Sequence, residues 1–364
     1  MATLTRKALY DLVWEKPVRT VAVELGISGV ALKKVCARFA IPVPHRGHWA
    51  RIAAGQRVHK SPLPPRGLGM PDVAFDKRRR VYRWPPDPVA ELAEPEPVEP
   101  VFEETLETVE ARIRKTTRRV KGSQPLAETH PQLTRIIEKD AERRRKYAAS
   151  RHSWDAPVFD SPFEQRRLRV INSLFWGLTH VGAKPWISGQ AARTVGMTMG
   201  EQNVSFSIDH PNAKRSRWNE EQAHGGNVDT LRLEVSALAD QEGCVNTWID
   251  ANNCKLETRL TEIVVMLQLA AEVLYRRNAL NTYRRSMESR EQARIDLARL
   301  QEEAERIERE RVEGLERLRR ERLLGYARDH RAAEDIRAFT MVVLSRTADN
   351  DPGDVARCSF GQKR

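Results

Sequence analysis

The chain of 364 residues has no continuous apolar run long enough to cross a membrane, which takes about 18 residues or more. It also begins without the apolar core of a secretion signal, so we expect a cytoplasmic protein that does not contact membranes. Cysteine is scarce and scattered, and no two cysteines stand at metal-ligand spacing, so neither a metal site nor a disulfide framework is expected. The four cysteines are Cys36, Cys244, Cys254 and Cys358.

The common catalytic motifs are missing as well. There is no glycine-rich phosphate loop followed by Lys-Ser or Lys-Thr, and no Gly-x-Ser-x-Gly turn. We therefore expect no enzymatic activity, no metal and no cofactor. One alternative is a metal-dependent nuclease or recombination enzyme, because several charged residues lie on or beside predicted strands. These residues are Asp229, Glu234, Asp250 and Lys255, although strand alternation alone would also turn such charges toward solvent.

Positive charge is concentrated at one end of the chain. The whole sequence has 62 Lys and Arg against 50 Asp and Glu, a net charge of +12. Residues 1–84 contain 17 of the basic and 5 of the acidic residues, so the remainder is balanced at 45 against 45. A basic segment beside a neutral remainder is typical of contact with nucleic-acid phosphates. The alternative is a basic surface that only aids solubility.

Residues 20–39 show two short helical patterns separated by a turn. Val21, Ala22 and Leu25 are apolar at helical spacing, and Gly26 tolerates the positive φ of a tight turn. Ser28 is a suitable N-cap for the second helix. That second helix has an apolar side, formed by Leu32, Val35, Cys36 and Phe39, and a basic side, formed by Lys33, Lys34 and Arg38. The pattern predicts a helix-turn-helix whose second helix enters a major groove.

On these residues the N-terminal region resembles the prokaryotic helix-turn-helix regulators. The matching features are the small Ala22, the glycine four positions later, the apolar pair around the turn, and Leu32 with Val35. The resemblance implies a DNA-binding domain over residues 1–60 with a three-helix core. It also implies that base and phosphate contacts come from the start and exposed face of the second helix, at Ser28, Gly29, Val30, Lys33, Lys34 and Ala37. Arg38, on the same basic side, joins them as a DNA-binding candidate.

A short segment after this core has two interpretations. Prolines at positions 42 and 44 favour an extended path over residues 41–49, and Trp49 could hold the segment against the core. The segment is either an arm that touches the DNA backbone or minor groove, or a structural wrap that closes the domain, and it could be both. Its DNA-binding candidates are Arg46, the strongest, with His48 and Arg51.

The rest of the chain divides by composition. Residues 61–105 are rich in proline and predict a semi-rigid linker with few contacts across it, in which the basic run at 77–80 adds phosphate contacts. Residues 106–280 predict a small α+β domain of unknown role, with helices over 102–120, 131–149 and from Ser161. Strands are expected at 192–199, 203–209, 231–238 and 244–249, followed by an amphipathic helix over 256–277.

One loop of this domain is both basic and aromatic. His210, Lys214, Arg215, Arg217 and Trp218 follow a predicted strand. They form either a second surface for nucleic acid or a partner, or an ordinary exposed loop.

Arginine and glutamate dominate residues 281–346. Leu297, Leu300, Ala304 and Ile307 follow helical spacing, but Arg311 and Gly314 then interrupt the seam, so a long dimeric coiled coil is not expected. We expect a protruding charged helix, or a hairpin in which residues 327–345 return along it. This region could support a weak homodimer or recruit a protein partner. Residues 347–364 are expected to be disordered.

Together these observations predict a multidomain α and α+β protein. Its parts are an N-terminal three-helix helix-turn-helix, a proline-rich linker, a small α+β domain and a long charged C-terminal helix. The expected function is sequence-specific binding of double-stranded DNA, as a bacterial transcriptional regulator or a DNA-associated factor of a mobile element. The layout also loosely resembles uncharacterised bacterial proteins found near mobile elements, a likeness that implies no activity. Besides the nuclease, a DNA-tethered scaffold that recruits a protein partner is the other alternative.

Overall fold

The computed structural model describes residues 3–76, 87–122, 128–150, 156–213, 230–239, 241–251 and 254–348, and it mixes helix and sheet. The helices are α1 (Arg6–Glu15), α2 (Val18–Leu25), α3 (Gly29–Arg38), α4 (His48–Ala53), α5 (Pro88–Ala93), α6 (Leu106–Thr116), α7 (Pro131–Ser150), α8 (Pro162–His180) and α9 (Leu256–Ala348). The strands are β1 (Thr3–Thr5), β2 (Val73–Asp76), β3 (Lys184–Ser188), β4 (Thr194–Met199), β5 (Gln202–Asp209), β6 (Arg232–Val235) and β7 (Thr247–Ile249).

The first three helices surround a small apolar core of their own. Thr5 caps α1 by accepting a hydrogen bond from the Ala8 amide at 3.2 Å. The side chains that face this core are fully or almost fully buried, and they recur at three- and four-residue steps along each helix. They include Leu9, Val13, Val21, Ala22, Leu25, Leu32 and Cys36.

The prediction of a linker with few contacts is wrong for residues 61–76. β2 pairs with β1 in antiparallel orientation, so this stretch closes back on the N-terminal helices. Gly69 has φ +66° and lies so close to the β4–β5 turn that a Cβ atom there would be 2.5 Å from the Met199 carbonyl oxygen. Arg66 pairs with Glu272 and lies over the Tyr275 ring, 4.4 Å from its centroid. Gly69 and Arg66 therefore allow this proline-rich stretch to pack against the β4–β5 turn and α9.

A five-stranded antiparallel sheet forms the centre of the α+β region, in the order β3-β4-β5-β6-β7. Gly200, at φ +62°, connects β4 to β5 in an antiparallel hairpin. Val195, Met197 and Met199 alternate into the core from β4, and Trp248 of β7 is fully buried there. The buried side chains of α8 and the first turns of α9 belong to the same apolar cluster. The sheet is therefore covered by helices on its apolar face.

Within the five-stranded sheet, the sequence patterns missed one strand and overextended two others. β3 contains Pro185, which lacks an amide donor and suits only an edge strand, so its sequence does not look like a strand. The pattern at 231–238 ends as a strand at Val235, because a 3-10 helix over Ser236–Leu238 follows. The pattern at 244–249 becomes strand only at Thr247.

Helix α9 is longer than the sequence analysis expects. It runs without a break from Leu256 to Ala348, so the helix does not end near residue 280 and the hairpin interpretation of residues 327–345 is wrong. Residues 284–348 contain no proline. Their two glycines, Gly314 and Gly325, each cost a helix only about 1 kcal/mol, which is too little to end it.

The described residues form two compact units. Those within 1–82 and 97–286 form one, which contains the N-terminal helices and the five-stranded sheet. Those within 83–96 and 287–364 form the other. In the second unit, Arg290 of α9 donates to the carbonyl oxygens of Glu94 at 2.8 Å and Glu91 at 3.3 Å, which holds α5 against α9. The expected disordered tail at 349–364 and the basic run at 77–80 lie outside the described residues.

Candidate nucleic-acid interface

A tight turn sets the direction of α3. Gly26 ends α2 at φ +70°, and the next amide, from Ile27, donates to the Ala22 carbonyl oxygen at 2.9 Å. Ser28 then caps α3, since its Oγ accepts from the Ala31 amide at 3.1 Å. This cap and the burial of Leu32 and Cys36 fix which side of α3 faces outward.

The outward side of α3 contains most of the expected contact residues. Lys33, Lys34 and Ala37 are exposed, and Ser28 is exposed at the start of the helix. Val30 is 67% exposed, which is unusual for a branched apolar side chain. Gly29 is partly buried, but a Cβ atom there would meet nothing within 4 Å. The result is a narrow, basic surface with small side chains and one apolar side chain.

Arg38 lies at the edge of this surface and already has a partner. Its guanidinium pairs with Glu201 in the β4–β5 turn, and it lies 5.7 Å from the centroid of the Phe39 ring. Both charged side chains of this ion pair keep substantial exposure, so the pair is weak and can exchange for another anion.

The structure corrects the prediction for the segment after α3. His48 is only 3% exposed and packs edge-on against the Trp14 and Trp49 rings, with centroids 5.1 and 5.2 Å away. It begins α4 rather than lying on an extended arm, and because its ring is buried it is withdrawn as a DNA-contact residue. The Trp14 indole donates to the Pro42 carbonyl oxygen at 2.8 Å, so the segment does wrap the core.

Arg46 and Arg51 differ from His48, since both are exposed. Arg46 lies in the turn before α4, and Arg51 lies within α4. They add exposed positive charge next to the wrapped segment.

Two arginines matter here that the sequence analysis did not select. Arg6 is buried and donates to the carbonyl oxygens of Phe39 at 2.7 Å and Ala40 at 3.2 Å, so it supports the end of α3. Burial lowers the pKa of Arg6. Arg19 is exposed in the first turn of α2. Its place just after Pro17, a residue common at helix starts, is the signal that could have identified it.

Of the carboxylates in the nuclease alternative, the structure describes Asp250 and Glu234, and each lies beside an arginine. Asp250 pairs with Arg166 at 2.7 Å and accepts from the amides of Leu231 at 3.0 Å and Leu256 at 2.8 Å. Burial would raise the pKa of Asp250, but these hydrogen bonds outweigh it and lower the pKa. Both carboxylate oxygens are thus committed to holding β6 and the start of α9. Glu234 lies 3.6 Å from Arg232 on β6, and Asp229 is outside the described residues.

Of the five basic and aromatic candidates in the loop after β5, the structure describes only His210. His210 is buried against Phe163, and Lys214, Arg215, Arg217 and Trp218 lie outside the described residues. Within the part of the chain that is described, no three His, Cys, Asp or Glu side chains cluster as metal ligands would. In that same part, no helix is long and apolar enough to cross a membrane. Comparisons with protein-family models, curated proteins and solved structures find no match to this chain.

Proposed function

We propose that this chain binds double-stranded DNA at specific sequences, with α2 and α3 acting as a helix-turn-helix and α3 entering the major groove. The observation that carries the proposal is α3 itself. It is capped by Ser28, buried on one side through Leu32 and Cys36, and basic on the other through Lys33 and Lys34. A helix held firmly from behind can present that basic side to DNA without bending away.

The proposal gives each exposed residue a chemical role. Lys33 and Lys34 would bind phosphates or guanine edges, and Ser28 and Val30 at the start of α3 would contact base edges, Val30 through thymine methyl groups. Arg19, Arg46 and Arg51 would bind the sugar-phosphate backbone and fix the orientation of the protein. Gly29 and Ala37 would allow close approach, since neither has a long side chain.

In this proposal the protein regulates transcription in a bacterium or serves a mobile element, and it performs no catalysis. The involvement of Asp250 in the fold supports a binding role over the nuclease, because that carboxylate is needed to hold β6 and α9 together. The charge distribution supports it as well, since the net excess of +12 in the whole chain equals that of residues 1–84.

Selection of genomic DNA fragments by the purified full chain tests the proposal. We expect the bound fragments to share a short sequence motif, and the double variant Lys33→Ala/Lys34→Ala to lose that enrichment. The matched control is Lys139→Ala/Lys184→Ala, which removes two exposed lysines from α7 and β3 and should enrich the same motif. Fragments without a shared motif, or equal enrichment by both double variants, would contradict the proposal.

A further inference from the structure

The distal part of α9, beyond residue 298, has a long exposed stripe of mainly apolar side chains, which begins at Leu300 and ends at Ala333. Between positions 298 and 342 every residue is exposed except Gly314, Gly325 and Ala333, which are half-buried. Large apolar side chains are among the exposed ones: Leu318 is 57% and Tyr326 65% exposed. Helix α5 packs near Arg290, before the stripe begins. Within the described residues, therefore, nothing covers it.

The stripe follows an eleven-residue repeat rather than the heptads of an ordinary coiled coil. The segment Ala304-Glu-Arg-Ile307 returns eleven positions later as Leu315-Glu-Arg-Leu318. Steps of four, three and four residues place one straight line of positions along the helix, since eleven residues make about three turns. These positions are 300, 304, 307, 311, 315, 318, 322, 326, 329 and 333. A heptad pattern of apolar residues is therefore interrupted at Arg311 and Gly314, whereas an eleven-residue pattern continues past both.

Charge divides this stretch into two opposite halves. Residues 300–316 contain seven acidic and three basic side chains, a net charge of −4. Residues 317–333 contain two acidic and six basic side chains, a net charge of +4, with histidine counted as neutral. Two such helices side by side in parallel would put like charge beside like charge along their whole length. In antiparallel orientation each acidic half lies beside a basic half.

We propose that residues 300–333 of α9 pair with the same residues of a second copy of this chain in antiparallel orientation, centred between Glu316 and Arg317. The stripe matches a two-fold axis at this point, because the steps between its ten positions follow the same order when read from either end. Leu315 then lies level with Leu318 of the second copy, Ile307 with Tyr326, and Leu300 with Ala333.

Two levels of the stripe are polar and limit the strength of the pair. Arg311 lies level with Arg322 of the second copy, and Ala304 with Asp329. Arg311 is held within its own helix by Glu308, with two N–O distances of 2.7 Å, which offsets part of that repulsion. Polar positions in such a seam lower affinity while they specify register. The pair is therefore weak and has a single preferred register.

Disulfide trapping in the full chain tests both orientation and register. The background carries Cys36→Ala with Cys244→Ser, Cys254→Ser and Cys358→Ser, and into it Leu300→Cys or Ala333→Cys is placed separately. Mixing the two variants under mild oxidation should yield a disulfide between positions 300 and 333, identified by mass spectrometry. Each variant alone should stay uncrosslinked, because equal positions lie about 50 Å apart in the antiparallel pair.

The matched control uses Glu302→Cys mixed with Arg331→Cys. These two positions are also level with each other, but they lie on the side of the helix away from the stripe and should not crosslink. Disulfides formed by Leu300→Cys alone and by Ala333→Cys alone would show parallel pairing and overturn the proposal. A mixture that crosslinks no more than the control would also overturn it.

Charge reversal gives a second measurement without cysteines. Glu310 lies in the acidic half of one copy, and Arg319 lies in the basic half of the other, about one turn away along the axis of the pair. Arg319→Glu alone and Glu310→Arg alone should each reduce self-association in sedimentation velocity, and an equimolar mixture should restore it as a heterodimer. If the two variants associate as the wild-type chain does, or if the mixture fails to recover, charge does not align the helices and the proposal fails. None of these readouts depends on DNA.

Discussion

Helix α3 and the distal part of α9 have similar sequence patterns and opposite surroundings. Both place apolar residues at three- and four-residue steps and charged residues between them. In α3 the apolar side is covered by α1 and α2, and Leu32 is 0% exposed. In α9 beyond residue 298 the same kind of stripe faces outward within the described structure. Helical periodicity therefore predicts that a face needs a partner, but it does not say whether that partner lies in the same chain.

Breaking an ion pair should reduce stability far more in the folded core than on the distal part of α9, and this is the largest difference that we expect. Asp250→Asn removes one of the two carboxylates that pair with Arg166, which keeps Glu257, and it weakens the hydrogen bonds from the Leu231 and Leu256 amides. Since hydrogen bonds to a charged group contribute about 1.5–3 kcal/mol each, the free energy of unfolding should fall by about 3–5 kcal/mol. Glu305→Gln breaks the exposed pair with Arg309 on α9 and should cost no more than about 0.5 kcal/mol. Chemical denaturation of both variants at neutral pH measures this. Equal, small effects would show that Asp250 does not hold the fold.

The contribution of Asp250 to the free energy of unfolding should depend on pH. The folded pKa of Asp250 lies below its ordinary value of 3.8, so its contribution to stability is complete above that value. It is lost as the pH falls through the lowered folded pKa. The stability gap between wild type and Asp250→Asn should therefore narrow only under acidic conditions, below about pH 4. Narrowing already at neutral pH would contradict the direction of this pKa shift.

Leucines provide the next comparison. Leu32→Ala removes a fully buried side chain and should cost about 2–5 kcal/mol. Leu318→Ala removes a mostly exposed one and should change the stability of the monomer by about 0.5 kcal/mol or less. Thermal unfolding at low protein concentration, where self-pairing is negligible, measures both. A large effect of Leu318→Ala under those conditions would mean that the stripe is covered within its own chain.

The sequence predicted local features of the N-terminal region well, for physical reasons. The Ser28 cap, the Gly26 turn and the exposure of Lys33 and Lys34 depend on neighbours within a few residues. His48 was misplaced because its burial depends on Trp14, more than thirty residues away, and a histidine beside arginines looks like a surface residue.

Long-range contacts also explain the other errors. Gly69 and Arg66 attach a proline-rich stretch to β4, β5 and α9, and composition alone could not reveal those partners. Asp250 looked like a candidate catalytic carboxylate until Arg166 and two amides were found around it. The eleven-residue repeat was present in the sequence throughout. The repeat is hard to recognise from sequence because Arg311 and Gly314 interrupt a heptad. The unbroken helix shows that the stripe continues past them.

A smaller change in stability is expected from the ion pair between Arg38 of α3 and Glu201 in the β4–β5 turn. Glu201→Gln removes the partner of Arg38 and one negative charge next to the proposed DNA surface. Stability should fall by less than about 1 kcal/mol, because this pair is exposed. DNA affinity should rise a few-fold, since Arg38 becomes available for a phosphate. Fluorescence anisotropy with a labelled duplex gives the affinity, and Glu24→Gln, at an exposed pair with Lys16, is the control. Reduced affinity would mean that Glu201 positions Arg38 for DNA.

The salt dependence of DNA binding tests the central claim about α3 most directly. Anisotropy titrations of a selected duplex between about 50 and 200 mM salt give the slope of log affinity against log salt, to which each neutralised phosphate adds about 0.9. Lys33→Ala/Lys34→Ala should weaken binding and reduce the slope by about 1–2, whereas Lys139→Ala/Lys184→Ala should leave both unchanged. Equal slopes and affinities for the two double variants, or no salt dependence in the wild-type chain, would contradict the assignment of α3 as the DNA-binding helix.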